Sequence, residues 1–535
     1  MININTYVER FGKKSFRKMP FNDVDGFVFA EISMINFEYL LNGDETIAFK
    51  DIVLDNFKNA IYGSPDAKPN GVLLKRMIKS TRYKDVRVGY IKRAYDEIEP
   101  NQFYAITLIL PDGTFFISFR GTDITLTGWK EDFALTYKDS IPSYNQSLEY
   151  VNNVASLLPG QFYIVGHSKG GHLAEYAALN MNKEHIVRLI NVFNYDGPGF
   201  RNGIEQYPNY SSIYPKMKKL ITHRDMIGVI YNSLPYDKFV YSPGILLGGH
   251  DPFSWKIDNN TGEFVIRKKR KKKYEIYDVT MNMWINKLSY DDKVLACQAL
   301  FKLVGKAQNV FDLLKYMIPN IANFNSVIKK FPKDKQKRLR EIAYLFFDCR
   351  RIARESKNLI NAKTILLTNR LVLREMVDDD HDALASIITD PETMKYYPKP
   401  YDGDGVNRWL NWCKDSYIKN NFGLWAVILK GKGEMIGDCG VSMQFINGEW
   451  RPEIGYHLNK EYHKQGIGKE MTQAVRDYFF THYDYNEVYS YMNKDNIASI
   501  KTAEANGMTF QFEYMDDNYP HLVYRITRDE WKKLK

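Results

Sequence analysis

The chain is poor in cysteine and in long apolar stretches, and each shortage excludes a class of protein. Its 535 residues hold four cysteines, Cys297, Cys349, Cys413 and Cys439. They are scattered, with no C-x-x-C pair, which argues against a disulfide framework and a metal site and points to a reducing cytoplasm. No run approaches the roughly 18 consecutive apolar residues that a membrane-spanning helix needs. The segment Met1 to Lys18 is polar and charged and lacks the apolar centre of a signal peptide. No internal repeat is visible.

What the chain does have is enough apolar material for more than one core: 44% of residues are hydrophobic and 14% aromatic. Its net charge is +10, and much of the excess sits in one unbroken run of Arg and Lys, Arg267 through Lys273. Such a run can bind nucleic acid or an anionic membrane. With no aromatic or Gly interleaving to stack bases, it reads instead as a solvated segment between structured parts, so nucleic acid is not an expected partner.

From about Asn101 to Pro243, short β-branched and apolar runs alternate with helix-like stretches: Phe103–Leu110, Thr114–Phe119, Phe162–Val165, Leu189–Tyr195 and Leu220–Thr222. This alternation predicts a mostly parallel sheet covered on both faces. From Asp278 to about Asn361 the period turns helical, with Val294, Ala299, Leu300, Leu303 and Val304 on one stripe. A new α+β pattern begins near Thr364. The expected organisation is therefore an α/β domain over 1–277, a helical appendage and connector over 278–363, and an α+β domain over 364–535.

The first chemistry-bearing motif is Gly166-His167-Ser168-Lys169-Gly170, between the strand-like Phe162–Val165 and a helix-like run from His172. Strand, G-x-S-x-G and helix in that order make a nucleophile elbow. The tight turn needs glycines where a Cβ would collide, and it lifts the serine hydroxyl toward a helix N-terminus. That terminus and the backbone N–H of Lys169 can stabilise an oxyanion. A serine needs a base, and the base an orienting acid, in the chain order Ser, acid, His. Asp225, at the end of the strand Lys219–Thr222, and His250, in a Gly-flanked loop, satisfy that order. Asp196 follows the strand next after the nucleophile, one strand earlier than usual, and His223 precedes the acid; both remain rivals.

Together with Phe119-Arg120-Gly121-Thr122, Trp129 and Asp132, these residues make about 20–260 resemble the class 3 lipase-like branch of the α/β-hydrolases. The resemblance implies an α/β-hydrolase fold, an oxyanion-hole role for Thr122 beside Lys169, and an ester or thioester substrate.

The second motif follows the strand-like Glu453-Ile454-Gly455-Tyr456-His457-Leu458. His463-Lys464-Gln465-Gly466-Ile467-Gly468-Lys469 opens a helix whose apolar positions, Ile467, Met471, Ala474, Val475 and Tyr478, keep helical spacing. A Gly-containing loop into a helix N-terminus presents free N–H groups to a pyrophosphate. A dinucleotide site is disfavoured, because the motif follows a late strand and lacks an acidic residue on a second βαβ strand.

The segment Asn493–Ser499, ending at Asn506-Gly507-Met508, adds to this pattern. Residues 364–530 thereby resemble the GNAT acetyltransferases, in their ribosomal-protein and small-molecule branch. The resemblance implies acetyl-CoA as acyl donor, the loop 463–469 as its clamp, Asn496 and Ser499 near the thiol, and an amine acceptor. Glu453 is the candidate base and Ser499 the candidate proton donor. The combined expectation is a bifunctional cytoplasmic enzyme. Its rivals are an acetyltransferase carrying a catalytically inert hydrolase-like module, and a nucleic-acid-associated protein. Oligomeric state is not legible.

Overall fold

A computed structural model of the chain describes residues 1–41, 43–64, 66–201, 203–204, 207–231, 238–244, 246–268, 270–303, 328–355, 364–368, 370–429, 434–516 and 519–534. Its contacts divide the chain into two compact units, Met1–Phe347 and Asp348–Lys535. Val304, Asn361 and Lys269, which entered the sequence reading, lie outside the described residues.

The first unit is built on a sheet whose strands follow chain order: β1 (Thr46–Ala48), β2 (Arg87–Asp96), β3 (Asn101–Ile109), β4 (Phe115–Phe119), β5 (Phe162–His167), β6 (Leu189–Tyr195), β7 (Met217–Thr222), β8 (Lys238–Val240) and β9 (Ile266–Arg267). Only β4 through β8 run parallel to their neighbours; β1 to β4 and the pair β8–β9 are antiparallel. The expectation of a mostly parallel sheet therefore holds for the centre alone. The antiparallel half follows from the short Pro111-Asp112-Gly113-Thr114 connection, which leaves no room for a crossover helix.

Alternation in β4 feeds two cores. Phe116 joins Phe27, Phe29, Tyr195 and Trp255 on one face. Phe115, Ile117 and Phe119 join Leu173, Ala174 and Ala177 on the other. Both faces are covered, as the continuous apolar strands require. Helices α1 (Leu126–Ala134), α2 (Pro142–Leu157) and α3 (Lys169–Asn180) connect the central strands.

The described helices of the expected appendage group for the most part with the first unit. α4 (Lys272–Lys287), α5 (Tyr290–Leu303) and the start of α6 (Lys333–Glu355) belong to the first unit. They share a small core of Leu288, Leu295, Ala299, Ile328, Phe331, Leu339 and Ile342. The basic run is likewise not uniformly solvated. Arg270 is buried, pairs with Asp278 and donates to the backbone carbonyl of Asp225, while Arg267 stacks over Tyr241.

The second unit is an eight-stranded, largely antiparallel sheet among the described residues: β10 (Thr364–Leu367), β11 (Leu371–Arg374), β12 (Leu424–Leu429), β13 (Glu434–Ile446), β14 (Glu449–Leu458), β15 (Glu487–Asn493), β16 (Thr509–Asp516) and β17 (Tyr519–Thr527). Helices α7 (His381–Ile388) and α8 (Gly403–Asn420) precede β12, α9 (Ile467–His482) follows β14, and α10 (Ile497–Ala505) follows β15. Ile467, Met471 and Val475 of α9 pack on Cys439, Val441 and Ile454 of the sheet. Strands β14 and β15 are parallel but pair only at Glu453 and Tyr489, so β14 beyond Glu453 diverges from β15 and the sheet opens. Among the described residues no helix is long and apolar enough to cross a membrane.

Candidate functional sites

In the first unit Ser168 sits between β5 and α3 at φ 57° and ψ −129°, a backbone region that non-Gly residues rarely occupy. The flanking glycines are demanded by close approach. A Cβ on Gly166 would stand 2.1 Å from the carbonyl carbon of Gly170, and one on Gly170 would stand 2.1 Å from the carbonyl oxygen of Phe119. Ser168 is the N-cap of α3, yet its side chain makes no capping bond, and the first helical hydrogen bonds come from Gly171 and His172. The N–H groups of Lys169 and Gly170 therefore precede the helical ladder, where an N-terminus offers donors to an anion.

His250 comes to this turn from the loop after β8. Its carbonyl lies 3.1 Å from Nε2 of His167, and the two imidazole centroids are 4.8 Å apart. Two buried carboxylates converge on its Nδ1: Asp196 Oδ2 at 3.1 Å and Asp225 Oδ1 at 3.5 Å. The rival acid, Asp196, is thus the nearer of the two, at φ 58° immediately after β6. Asp225 is held by the N–H groups of Ile227 and Gly228, and Asp196 accepts from Thr222 N–H.

These environments push the carboxylates apart. Burial, reinforced by the charge of Asp225, raises Asp196 to about 8. Burial also acts to raise Asp225, but hydrogen bonding to His250 and the positive charges of His250 and Arg270 bring it below its usual value. His250 is pushed up to about 10, because its hydrogen bonds to the two aspartates outweigh burial. The remaining rival, His223, is held down at about 4, chiefly by burial, and its Nδ1 accepts from Ser242 N–H instead.

Both expected oxyanion-hole residues have their side chains committed elsewhere. Thr122 donates its hydroxyl to Asp132. Lys169 turns its ammonium beneath β3, where it donates to the carbonyl and side-chain oxygens of Gln102, each at 2.7 Å, and to Glu131 at 3.0 Å. Both charges of the Lys169–Glu131 pair are essentially inaccessible. Removing one would strand the other, so Lys169→Met is expected to cost about 3–5 kcal/mol in urea unfolding, with Lys169→Met/Glu131→Gln recovering much of it.

In the second unit the loop after β14 is shaped as the sequence suggests. Lys464 and Gly466 have φ 58° and 74°, and Gly466 caps the 16-residue α9 without a side-chain bond. Arg370 ties the loop down through the carbonyl of Gln465 and through Glu470. The side chains contribute less than the motif implies. His463 bonds back to the carbonyl of Leu458 at 2.8 Å, Gln465 donates to the carbonyl of Glu461, and Ile467 is buried in the core. Gly468 and the exposed Lys469 begin the helix. Uncapped N–H groups at an exposed left-handed turn, beside the parting of β14 and β15, fit a pyrophosphate-bearing acyl donor.

Glu453 is buried where β14 and β15 part, with Ser442 Oγ 3.4 Å from its Oε2. Burial raises it to about 8. Ser499 lies across β14. Its hydroxyl accepts from Tyr456 at 3.1 Å, and its N–H is capped by the side chain of Asn496 at 3.2 Å. The helix cap is therefore Asn496, which leaves Ser499 paired with a phenol the sequence reading passed over.

Sequence reasoning also missed Asp438, His457 and Trp409. Asp438 accepts from His457 N–H at 2.8 Å, faces its Nδ1 at 2.9 Å and accepts from Trp409 Nε1 at 3.0 Å. The signal that could have found His457 is alternation, since Glu453, Gly455 and His457 share one strand face.

Residues 77–302 match the Mbeg1-like family model, and residues 370–509 match the acetyltransferase (GNAT) domain model. Two relatives match part of the chain at 32% identity. Uncharacterized protein YkkB of Bacillus subtilis aligns over 166 residues, 31% of this chain and 96% of its own length. Uncharacterized N-acetyltransferase p20 of Bacillus licheniformis aligns over 164 residues, 30% of this chain and 90% of its own. A solved GNAT-family acetyltransferase from Bacillus anthracis is 22% identical, covers 31% of this chain and 98% of its own, and superposes with a TM-score of 0.28. Through its C-terminal domain the chain belongs to the GNAT acetyltransferases, enzymes that use acetyl-CoA.

Proposed function

We propose that the chain is a bifunctional cytoplasmic enzyme, a serine ester or thioester hydrolase in its N-terminal α/β-hydrolase unit and an N-acetyltransferase from about residue 364 onward. The hydrolase reading is carried by Ser168, held in a strained turn at an uncapped helix N-terminus. The Mbeg1-like match is in keeping with a lipase-like fold. Ser168 Oγ attacks the acyl carbon, and its proton passes to His250, oriented by Asp225 and Asp196. The N–H groups of Lys169 and Thr122 receive the developing oxyanion, and the leaving alcohol or thiol departs with that proton. Water then repeats the sequence to free the acid.

The transferase reading is carried by the opening between β14 and β15 at Glu453, beside the loop 463–469. Acetyl-CoA supplies an acetyl group activated as a thioester. The N–H groups of the loop bind its phosphates, Glu453 takes a proton from the acceptor amine, and Ser499 with Tyr456 donates to the departing sulfur. Gly466 adopts φ 74°, which costs an L-residue about 1–2 kcal/mol. Gly466→Val is therefore expected to weaken calorimetric acetyl-CoA binding about tenfold or more. Unchanged affinity would remove the loop from the site.

A further inference from the structure

We infer that His457, clamped by Asp438, is a second proton acceptor of the acetyl-transfer site, and that the aromatic wall around it selects a primary amine borne on a flat apolar group. This rests on the acetyltransferase reading of the same site.

His457 and Asp438 are directly cross-strand partners on β14 and β13, and both are buried. One carboxylate oxygen faces Nδ1 and also accepts the backbone N–H of the same residue. The carboxylate thus holds the proton on Nδ1 and leaves Nε2 as a bare acceptor. That Nε2 is buried and makes no hydrogen bond. An acceptor kept dry and unpaired costs stability unless a donor arrives there.

The neighbours indicate what the donor is. A Cβ on Gly455 would stand 2.9 Å from Oε2 of Glu453, so that carboxylate folds over the glycine toward His457. Gly455 and His457 are two residues apart, about 6.6 Å along a strand. Around His457 stand rings: Tyr397 with its centroid 5.3 Å from that of His457, Trp409 at 5.2 Å, and Tyr401 at 5.4 Å from Trp409. Tyr397 comes from the half-exposed connection before α8 and covers the imidazole. The titratable groups that face His457 are Asp438 from β13 and Tyr397 from the α7–α8 connection. Aromatic faces with carboxylates behind them suit an ammonium on a planar substituent.

Two protons leave the nitrogen in one turnover. An amine arrives as R–NH3⁺ and must lose one proton before its nitrogen can attack. The N–C bond then forms, the C–S bond breaks, and the nitrogen sheds a second proton. One of the two leaves on the thiol, and the other passes to solvent. With Glu453 alone, the first proton would have to clear before the second could be taken. His457 removes that constraint.

The test uses the full-length chain with acetyl-CoA and phenethylamine, compared with methylamine. His457→Asn keeps a donor for Asp438 but has no basic nitrogen. It is expected to lower kcat about 100-fold with KM for acetyl-CoA and its calorimetric affinity unchanged. Methylamine is expected to show at least tenfold lower kcat/KM than phenethylamine. Independently of turnover and of any variant's folding, ¹⁵N-histidine NMR of the wild type should show a bare Nε2 on His457 whose resonance moves when phenethylamine is added alone. A His457→Asn enzyme as fast as wild type, an Nε2 signal indifferent to the amine, or no preference for phenethylamine overturns the inference. If acetyl-CoA fails to bind, or Glu453→Gln is fully active, the acetyltransferase reading of the site falls instead.

Discussion

Fluorophosphonate treatment of the intact chain is expected to add one adduct, at Ser168, and Ser168→Ala is expected to add none. The probe reports an activated hydroxyl, and three features converge on that outcome. The backbone of Ser168 is held at φ 57° by packing on both sides, which aims the side chain away from the helix it would otherwise cap. The N–H groups of Lys169, ahead of the helical ladder, and of Thr122 are the donors for the phosphonyl oxygen. His250 is gripped by two aspartates.

The double carboxylate adds a further expectation. Two negative charges hold a proton on His250, raised to about 10, and only its neutral form can accept from serine. Labelling rates should therefore climb as pH rises toward that value. Asp196→Asn or Asp225→Asn removes one charge, lowers the histidine, and moves the rise to lower pH. Because either acid can still orient the ring, each single variant should lose far less than the double variant, for which a loss on the order of 10⁴ is expected. A folded protein that binds acetyl-CoA yet takes no adduct would make the N-terminal unit an inert module and leave the transferase as the working enzyme.

The second large effect is expected at Glu453. Glu453→Gln should lower acetyl transfer by about 10²–10⁴-fold, the usual worth of a positioned base. The same substitution has a signature in stability. Burial raises the folded-state value from 4.5 to about 8. Between those values the folded chain holds a proton that the unfolded chain has lost, so stability falls as pH rises through that window. At about 1.36 kcal/mol per unit the loss approaches about 5 kcal/mol. In calorimetry of the full chain, the transition that acetyl-CoA shifts should move to lower temperature from pH 5 to pH 8.5. Glu453→Gln should flatten that slope. A wild-type transition insensitive to pH would mean that Glu453 is solvated, and unfit for a base tuned near neutrality.

What could be read along the chain was local. The elbow at Ser168 and the loop at Gly466 are both short strand–turn–helix passages. Gly166 and Gly170 are needed by backbone atoms a few residues away or on the adjoining strand, and Gly466 by its own positive φ. Continuous apolar runs and helical period likewise marked β3 to β7 and α9 without any partner, because a strand covered on both faces is apolar throughout and a helix must bury one side.

Only the tertiary structure decided which distant groups meet. Asp196 and Asp225 end different parallel strands, β6 and β7, and whether one or both reach His250 depends on sheet twist and on a loop bending back over the strand ends. Arg270 left the solvated run to lie beneath Asp225 for the same reason. Asp438 and His457 stand 19 residues apart and meet through the β13–β14 register, and a slip of one position would turn them to opposite faces. Thr122, Lys169 and Asn496 carried motif identities, but their side chains were claimed by Asp132, Glu131 and the first turn of α10. A motif specifies backbone shape through short-range sterics, whereas hydrogen-bond partners are settled by whichever groups the finished packing leaves in reach.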